Sequence, residues 1–244
     1  MKITVLGAGD AFASGCRRQS AYAVQSGGRT FLMDAGPTVL AGLKAAAIPT
    51  DTIDFVLVSH LHGDHFAGIV FLLMELLFER PRKRELVIAG PAGTENRVRD
   101  LFRAMYLEAS ERPLSFPLRF LHLEPDRVVE LDGVSVEPFS VPHQAREPSL
   151  GLKVRHRGKT VVYSGDSGWT EEFVARTHDA DLFLCECCYF DTEVYFHINY
   201  PELARNRSRI GARRLVLTHL GREVLEKLDR VEPEVAHDGM VIEL

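Results

Sequence analysis

Cysteine is too scarce in this sequence for a disulfide framework. Four occur in 244 residues: Cys16, Cys185, Cys187 and Cys188. Three of them crowd into one predicted strand end, where they cannot staple distant segments. They read as free, buried thiols that pack as small hydrophobes. A structural metal is the lesser reading, because no second Cys or His pair stands at finger-like spacing. A surplus of positive charge is also missing. The formal net charge is −5, which argues against bulk, non-specific nucleic-acid binding. No secretory leader is visible: Met1-Lys2-Ile3-Thr4-Val5-Leu6 opens directly as a strand, without a basic start, an apolar run and a cleavage site ahead of it. The apolar run over 66–78 is too short for a bilayer, which takes about 20 residues. A cytoplasmic location and no membrane partner are therefore expected. Linkers, low-complexity tracts and short repeats are absent too, so residues 1–244 are expected to form one domain. What is present is ordinary for a soluble globular protein: 45% apolar and 26% charged residues, and length enough for one sizeable α/β core.

Strands and helices alternate in two halves. The first half reads as strands over 3–6, 21–25, 30–34, 55–58 and 86–89, with a hairpin about Gly27-Gly28 and helices over 38–46, 66–78 and 94–106. The second half reads as strands over 117–121, 128–131, 134–139, 150–156, 160–164, 182–185, 215–218 and 241–244. Asp132-Gly133 and Gly158 mark its hairpin turns. Helices follow from Thr170 and over 201–210. Periodicity alone says mixed α/β. The 66–78 helix is apolar on nearly every side, with Glu75 the main exception, so it should be buried all round. The core would cover one side and a partner subunit the other, which predicts a homodimer. The Gly-rich turn at 7–11 does not complete a dinucleotide fingerprint.

The densest chemistry lies in Ser59-His60-Leu61-His62-Gly63-Asp64-His65. It sits on a loop at the carboxyl end of a predicted strand, where α/β architectures place their chemistry. Residues two apart in an extended loop point the same way, so His60 and His62 can grip one metal ion together. The turn into the following helix re-aims Asp64 and His65, which can hold a second. Singly each residue has a bland reading, and Asp64 could simply cap the helix. Together they form a ligand set suited to zinc and its neighbours. Three further polar residues stand at predicted strand ends: His143, Asp166 and His219. His122, His156, His178 and His237 lack ligand context.

The 60–65 stretch resembles the metal-binding signature of the metallo-β-lactamase-fold hydrolases, in the branch whose His-x-His-x-Asp-His holds two metals. The flavo-di-iron branch has an acidic residue where this chain has His62, which disfavours a redox role. The resemblance implies a four-layer α-β-β-α sandwich and two divalent ions, zinc first, with manganese or iron(II) as alternatives. It implies that His60, His62 and His143 bind one ion, that Asp64, His65 and His219 bind the other, and that Asp166 bridges both. Asp34, at the end of a strand, would support the metal loops. Its other reading is a polar turn residue before Gly36. Two such cations about 3.5–4 Å apart activate water near neutral pH.

Cys185-Glu186-Cys187-Cys188 and His197-Ile198-Asn199 supply a proton donor by the same resemblance. In the ribonuclease Z branch a Glu at a strand end orients a His that acts as general acid, and Glu186 and His197 stand at those positions. Their neighbours depart from that branch, which usually has His, Ala and Thr around the Glu and Ser-Thr after the His. The pair thus points to phosphodiester cleavage more than to transfer-RNA processing. A histidine suits the role because its ordinary pKa is about 6.5. Asp64, Glu186 and His197 are the expected catalytic residues. A plain surface-loop residue is the other reading of His197.

The expected activity is hydrolysis of a small or nucleotide-like phosphodiester, as in the cyclic-phosphate phosphodiesterases of this fold. A ribonuclease Z-like 3′ transfer-RNA endonuclease is the first alternative. Bacterial ribonuclease Z carries a long basic arm between the counterparts of His143 and Asp166, whereas here a short hairpin over 150–164 fills that interval. The cluster Arg80, Arg82, Lys83 and Arg84 reads as a solvated loop first and a phosphate-steering patch second. Arg205, Arg209 and Arg213 fall near one helix face. Ester, thioester or lactone hydrolysis and a non-catalytic metal-binding protein complete the set of readings.

Overall fold

Tight turns with two successive left-handed residues set the strand pairing. Gly27-Gly28 (φ 54° and 83°), Asp132-Gly133 (52° and 83°) and Arg157-Gly158 (50° and 74°) all have this form. It matches the right-handed twist of a hairpin, and it calls for Gly at the second position. In the computed structural model, which describes all 244 residues, fourteen strands form two sheets of seven.

The strands are β1 (Lys2–Gly7), β2 (Ala21–Ser26), β3 (Arg29–Ala35), β4 (Phe55–Leu57), β5 (Leu86–Gly90), β6 (Leu118–His122), β7 (Val129–Leu131), β8 (Val134–Ser140), β9 (Leu150–His156), β10 (Lys159–Tyr163), β11 (Leu182–Glu186), β12 (Arg214–Thr218), β13 (Glu234–Val235) and β14 (Val241–Glu243). One sheet runs β14-β1-β2-β3-β4-β5-β6 and the other β13-β12-β11-β10-β9-β8-β7. Each sheet joins an antiparallel hairpin region to a parallel region: β3 to β6 in the first, β10 to β13 in the second. The short strand β13 was not visible in the sequence pattern.

The helices are α1 (Val39–Ala45), α2 (Gly63–Phe66), α3 (Gly68–Met74), α4 (Thr94–Met105), α5 (Leu107–Ser110), α6 (Glu171–Thr177), α7 (Tyr200–Asn206) and α8 (Arg222–Leu225). Three separate apolar clusters hold the layers together. The central one, with Ile3, Tyr22, Phe31, Leu152, Val161 and Leu184, lies between the sheets. A second joins the first sheet to α1, α3 and α4 through Leu43, Ile69 and Phe102. A third joins the second sheet to α6, α7 and α8 through Phe173, Leu203 and Val224. Three interfaces make four layers, so the expected helix–sheet–sheet–helix sandwich is the architecture observed.

Two expectations need correction. The helix over 66–78 is divided: α2 passes into α3, which ends in a π-helical turn, Glu75–Glu79. Gly68 sets its approach to the sheet, since a Cβ there would lie 2.0 Å from the Gly36 carbonyl oxygen. Phe66, Ile69, Val70, Leu72, Leu73 and Leu76 are all buried in the chain's own core. Glu75 is buried as well, with the Lys44 ammonium 3.2 Å from its carboxylate. The chain thus covers most of this helix without a partner, and Phe78 is the residue left largely exposed. The basic segment 80–84 is the exposed loop expected, save at one residue. Arg82 is buried, and its guanidinium donates to the carbonyls of Arg84, Asp51 and Glu85. Arg84 pairs with Asp54, and Arg80 lies 3.6 Å from Asp51. Arg209 and Arg213 are likewise paired, with Glu171 and Asp181.

Candidate metal centre

The carboxyl ends of the parallel strands of both sheets meet at one edge of the sandwich, and the seven candidate ligands collect there. His60 and His62 lie on the extended segment after β4, with Asp64 and His65 on α2 directly beyond. His143 follows β8, Asp166 follows β10 and His219 follows β12. Two turns are conformationally demanding. Gly165 has φ 59°, and a Cβ on it would meet the Leu150 carbonyl at 2.7 Å. His219 itself is left-handed, at φ 52°.

The ligand atoms fall into two groups, each within 4.8 Å: His60, His62, His143 and Asp166, then Asp64, His65, Asp166 and His219. Asp166 belongs to both. In the first group His143 Nε2 is 2.9 Å from His62 Nδ1 and 3.9 Å from Asp166 Oδ2, and His60 Nε2 is 3.8 Å from the same oxygen. In the second, His65 Nε2 is 3.1 Å from Asp166 Oδ1, and His219 Nε2 is 3.3 Å from both Asp64 Oδ2 and Asp166 Oδ2.

These residues fit a divalent cation pair. His60 Nε2 is buried without a hydrogen-bond partner, and His65 Nε2 and Asp166 Oδ1, 3.1 Å apart, are not aligned to bond each other, which is rare for buried polar atoms and calls for a partner of another kind. The charge state agrees. Burial pushes His60, His62 and His143 below the ordinary imidazole value, aided by neighbouring imidazoles. They are therefore neutral, the form that binds metal. Burial also opposes charge on His65, but Asp166, Asp64 and Asp34 raise it well above its usual value. The carboxylates of Asp64 and Asp166 stay below theirs despite burial, held there by His65 and His219. The second group thus demands positive charge, and without a metal it takes that charge as protons.

Surrounding groups aim the rings. Asp34 ends β3 in a left-handed conformation, φ 56°, and is fully buried. Its Oδ2 accepts from the Ser59 hydroxyl, the Tyr163 hydroxyl and His65 Nδ1–H, each at 2.7 Å. Its Oδ1 accepts from Ser59 N–H at 2.8 Å. Ser59 in turn takes His60 Nδ1–H at 3.0 Å, and the Phe196 carbonyl takes His143 Nδ1–H at 2.8 Å. In all three rings the outer partner takes Nδ1 and turns Nε2 toward the site, as outer partners of metal-binding histidines arrange; that of His143 faces His62 Nδ1 there. Ser59, Tyr163 and Phe196 were not among the residues singled out from the sequence. Only Ser59 carries a local signal, as the neighbour of His60.

Glu186 ends β11 with no exposure. Its Oε1 accepts from Ser167 N–H and from His197 Nδ1–H, both at 2.7 Å, and its Oε2 from Cys188 N–H at 3.1 Å. One carboxylate therefore holds both the turn after Asp166 and the ring of His197. That ring lies 4.9 Å from His143 and 5.7 Å from His219, between the two groups. It is not a surface residue: its side chain is 12% exposed. Burial pulls its pKa down, yet Glu186 more than offsets this and raises it to about 9. Cys188 reaches the same space, with Sγ within 4.8 Å of ligating atoms of His197 and His219. Burial, then Glu186, raises its thiol, so it presents a neutral wall. An open cleft of about 530 Å³ faces the site and is lined by His62, His143, Arg146 and His197 among others.

Known proteins resemble this chain along nearly their whole length. The chain is 27% identical to the ribonuclease Z of Methanosarcina acetivorans, over 100% of this chain and 94% of that protein. It is equally 27% identical to the probable metallo-hydrolase YhfI of Bacillus subtilis, over 99% of this chain and 96% of that one. The crystal structure of YhfI, a metallo-β-lactamase-fold protein, aligns with a TM-score of 0.81 at 26% identity and covers 99% of both chains. Human tRNase Z, short form, aligns with a TM-score of 0.79 at 25% identity, over 100% of this chain and 99% of that one. With this fold and these relatives the chain is a metal-dependent hydrolase of the metallo-β-lactamase fold, and, matched over residues 1–234 by the model described as anti-Pycsar protein Apyc1, it belongs to that family.

Proposed function

We propose that the protein hydrolyses a small or nucleotide-like phosphodiester, with His60, His62 and His143 holding one divalent ion, Asp64, His65 and His219 the other, and Asp166 shared. Zinc is the first choice of metal, because imidazole and carboxylate in four-atom groups suit it. Bound there, two such ions supply Lewis acidity toward phosphoryl oxygens and a nucleophile at neutral pH. The observation that carries the reading is the Glu186–His197 pair between the two ligand groups. Glu186 fixes the ring through Nδ1 and favours its protonated form, so Nε2 has a proton to give. Its target is the leaving oxygen of the diester, which departs as an alcohol. Asp166 spreads its two oxygens over both groups, and Asp64 adds a second carboxylate to one of them. Arg146, at the open cleft, offers its charge to the substrate phosphate.

A small substrate suits this entrance better than transfer RNA. Between His143 and Asp166 the chain forms only a short loop and the β9–β10 hairpin. Arg82 is buried, and Arg80, Arg84, Arg209 and Arg213 are partnered by acids, which weakens these clusters as a polyanion surface and leaves Lys83 and Arg205 as their unpaired exposed cations. Relatives named ribonuclease Z keep the endonuclease as the second reading. We place the protein in the cytoplasm on its four free thiols. No helix is long and apolar enough to cross a membrane.

The test is a panel assay of metal-replete protein on bis(p-nitrophenyl) phosphate, cyclic phosphates, precursor transfer RNA and thioesters. Turnover of the small diesters with weak cleavage of precursor transfer RNA is expected. Efficient, site-specific 3′ cleavage of precursor transfer RNA with weak activity on small diesters would reverse the ranking, and thioester turnover alone would remove phosphodiesters from it.

A further inference from the structure

His197 stands on a loop that leaves the fold after Cys188 and rejoins it at Asn199. The ends of the loop are tied to each other: Tyr189 N–H donates to the Ile198 carbonyl at 3.3 Å, and Tyr200 N–H to the Tyr189 carbonyl at 2.9 Å. Its crest projects, with Asp191, Thr192, Glu193 and Tyr195 exposed. Glu186 holds the ring of His197 but touches nothing on that crest. A different carboxylate does. The successive N–H groups of Phe190, Asp191 and Thr192 converge on Oε2 of Glu223, at 3.0, 2.8 and 3.0 Å. The Thr192 hydroxyl donates to Oε1 at 2.6 Å. Three consecutive N–H groups facing one point form an anion-binding nest, and here a side chain of the same chain fills it. Burial opposes the charge on Glu223, but the bonds from Thr192, Asp191 and Phe190 bring its carboxyl down to about 2.

Glu223 lies on α8, which begins just beyond His219. Between them Gly221 donates its N–H to the Cys188 carbonyl at 3.1 Å. A Cβ at Gly221 would sit 2.2 Å from that oxygen, so glycine lets the two segments touch. The turn that presents a candidate ligand and the loop that presents the candidate acid therefore meet twice, once through backbone and once through Glu223. Other anchors differ in kind: His143 grips the Phe196 carbonyl, Gly168 makes room for the Tyr195 carbonyl, and the Lys227 ammonium pairs with the Asp191 carboxylate. Glu223 is the anchor that gathers the backbone on the far side of the loop.

We propose that Glu223 is a positioning residue: it clamps the 189–199 loop to the turn after His219 and so keeps His197 aligned for proton delivery. The proposal rests on the acid role given to His197 above. Without Glu223 the crest keeps the Lys227–Asp191 pair, whose carboxylate is exposed and which holds weakly on that account, and a displacement of about 1 Å can cost about 10²-fold in rate.

The test compares Glu223→Ala, Glu223→Gln, His197→Ala and the double variant His197→Ala/Glu223→Ala, all metal-replete, on diesters with poor and good leaving groups. Glu223→Ala should lower kcat by about 10- to 100-fold on a poor leaving group. It should change the p-nitrophenolate reaction little and leave KM and metal content unchanged. Glu223→Gln, which keeps an acceptor oxygen but loses its charge, should show a several-fold loss on the poor leaving group, smaller than that of Glu223→Ala. The double variant should be no slower than His197→Ala, because a residue acting through His197 has nothing left to act on. Equal losses for both leaving groups, additivity with His197→Ala, or a wild-type rate in Glu223→Ala would each overturn the clamp. If Glu223→Ala does not fold, Glu223→Gln decides: a several-fold loss confined to the poor leaving group supports the clamp, and no loss or a uniform loss refutes it. Failure of the underlying reading is seen separately, in a His197→Ala variant whose loss ignores the leaving group.

Discussion

Changing Tyr163→Phe removes one oxygen atom from the centre of the molecule and tests how the ligands are aimed. The Tyr163 hydroxyl is buried and donates to Asp34 Oδ2 at 2.7 Å. Asp34 keeps the bonds from Ser59 and His65 in the variant, and no donor is left stranded. The loss is then one hydrogen bond to an ionised acceptor, about 1.5–3 kcal/mol. For a chain of this length each kcal/mol moves Tm by about 2–4 °C, so metal-free Tyr163→Phe should melt about 3–12 °C below the parent. The same bond steadies the carboxylate that orients His65, and outer partners of metal ligands are typically worth about 10–100-fold in affinity. The variant should therefore bind zinc more weakly by that factor. Calorimetry on the metal-free proteins and zinc titration against a competing chelator measure the two effects. Tyr22→Phe is the control, since its hydroxyl bonds Thr218 at 2.6 Å and not Asp34. An unchanged melting point together with unchanged zinc affinity would refute the assignment of Asp34 as the hub of the site.

The parent protein should carry two ions per chain by elemental analysis after metal-replete purification, and Asp166→Asn should lose most of both, because one carboxylate serves both groups; well under one ion in the parent defeats the ligand assignment. The folded-state pKa of His197, about 9, lies above its ordinary value of 6.5, so the His197–Glu186 pair stabilises the metal-free fold fully below about pH 6.5 and loses that contribution as pH rises through about 9. The Tm advantage of the parent over His197→Asn should narrow between pH 6 and pH 10, and a constant difference would count against the pair. Of the apolar helix over 66–78, Phe78 is the large apolar residue left exposed, and a homodimer formed through that end should show in light scattering at micromolar concentration; a monomer ends that expectation.

Local information carried much of this molecule. The hairpins were legible because Gly27-Gly28, Asp132-Gly133 and Gly158 meet a backbone requirement that depends only on adjacent residues. The metal loop was legible for the same reason: His60, His62, Asp64 and His65 are set by the pitch of one strand end and one helical turn. The strand ends that present His143, Asp166 and His219 could be marked, but their convergence could not, since spacing says nothing about which strand ends share an edge of the sandwich. Family resemblance supplied that pairing, and the structure brings the residues together. What tertiary packing alone decided is what depends on long-range neighbours. Asp34 receives Tyr163 from 129 positions away. Arg82 looked like a solvated cation until three distant or turn carbonyls enclosed it. The apolar helix near the metal loop looked too greasy for one core, because sequence cannot count how many sides a sheet, α1 and α4 will cover. Glu223 reads as an ordinary helical carboxylate in the sequence. Only folding turns three backbone N–H groups toward it, and those groups belong to residues whose side chains carry no signal of the contact.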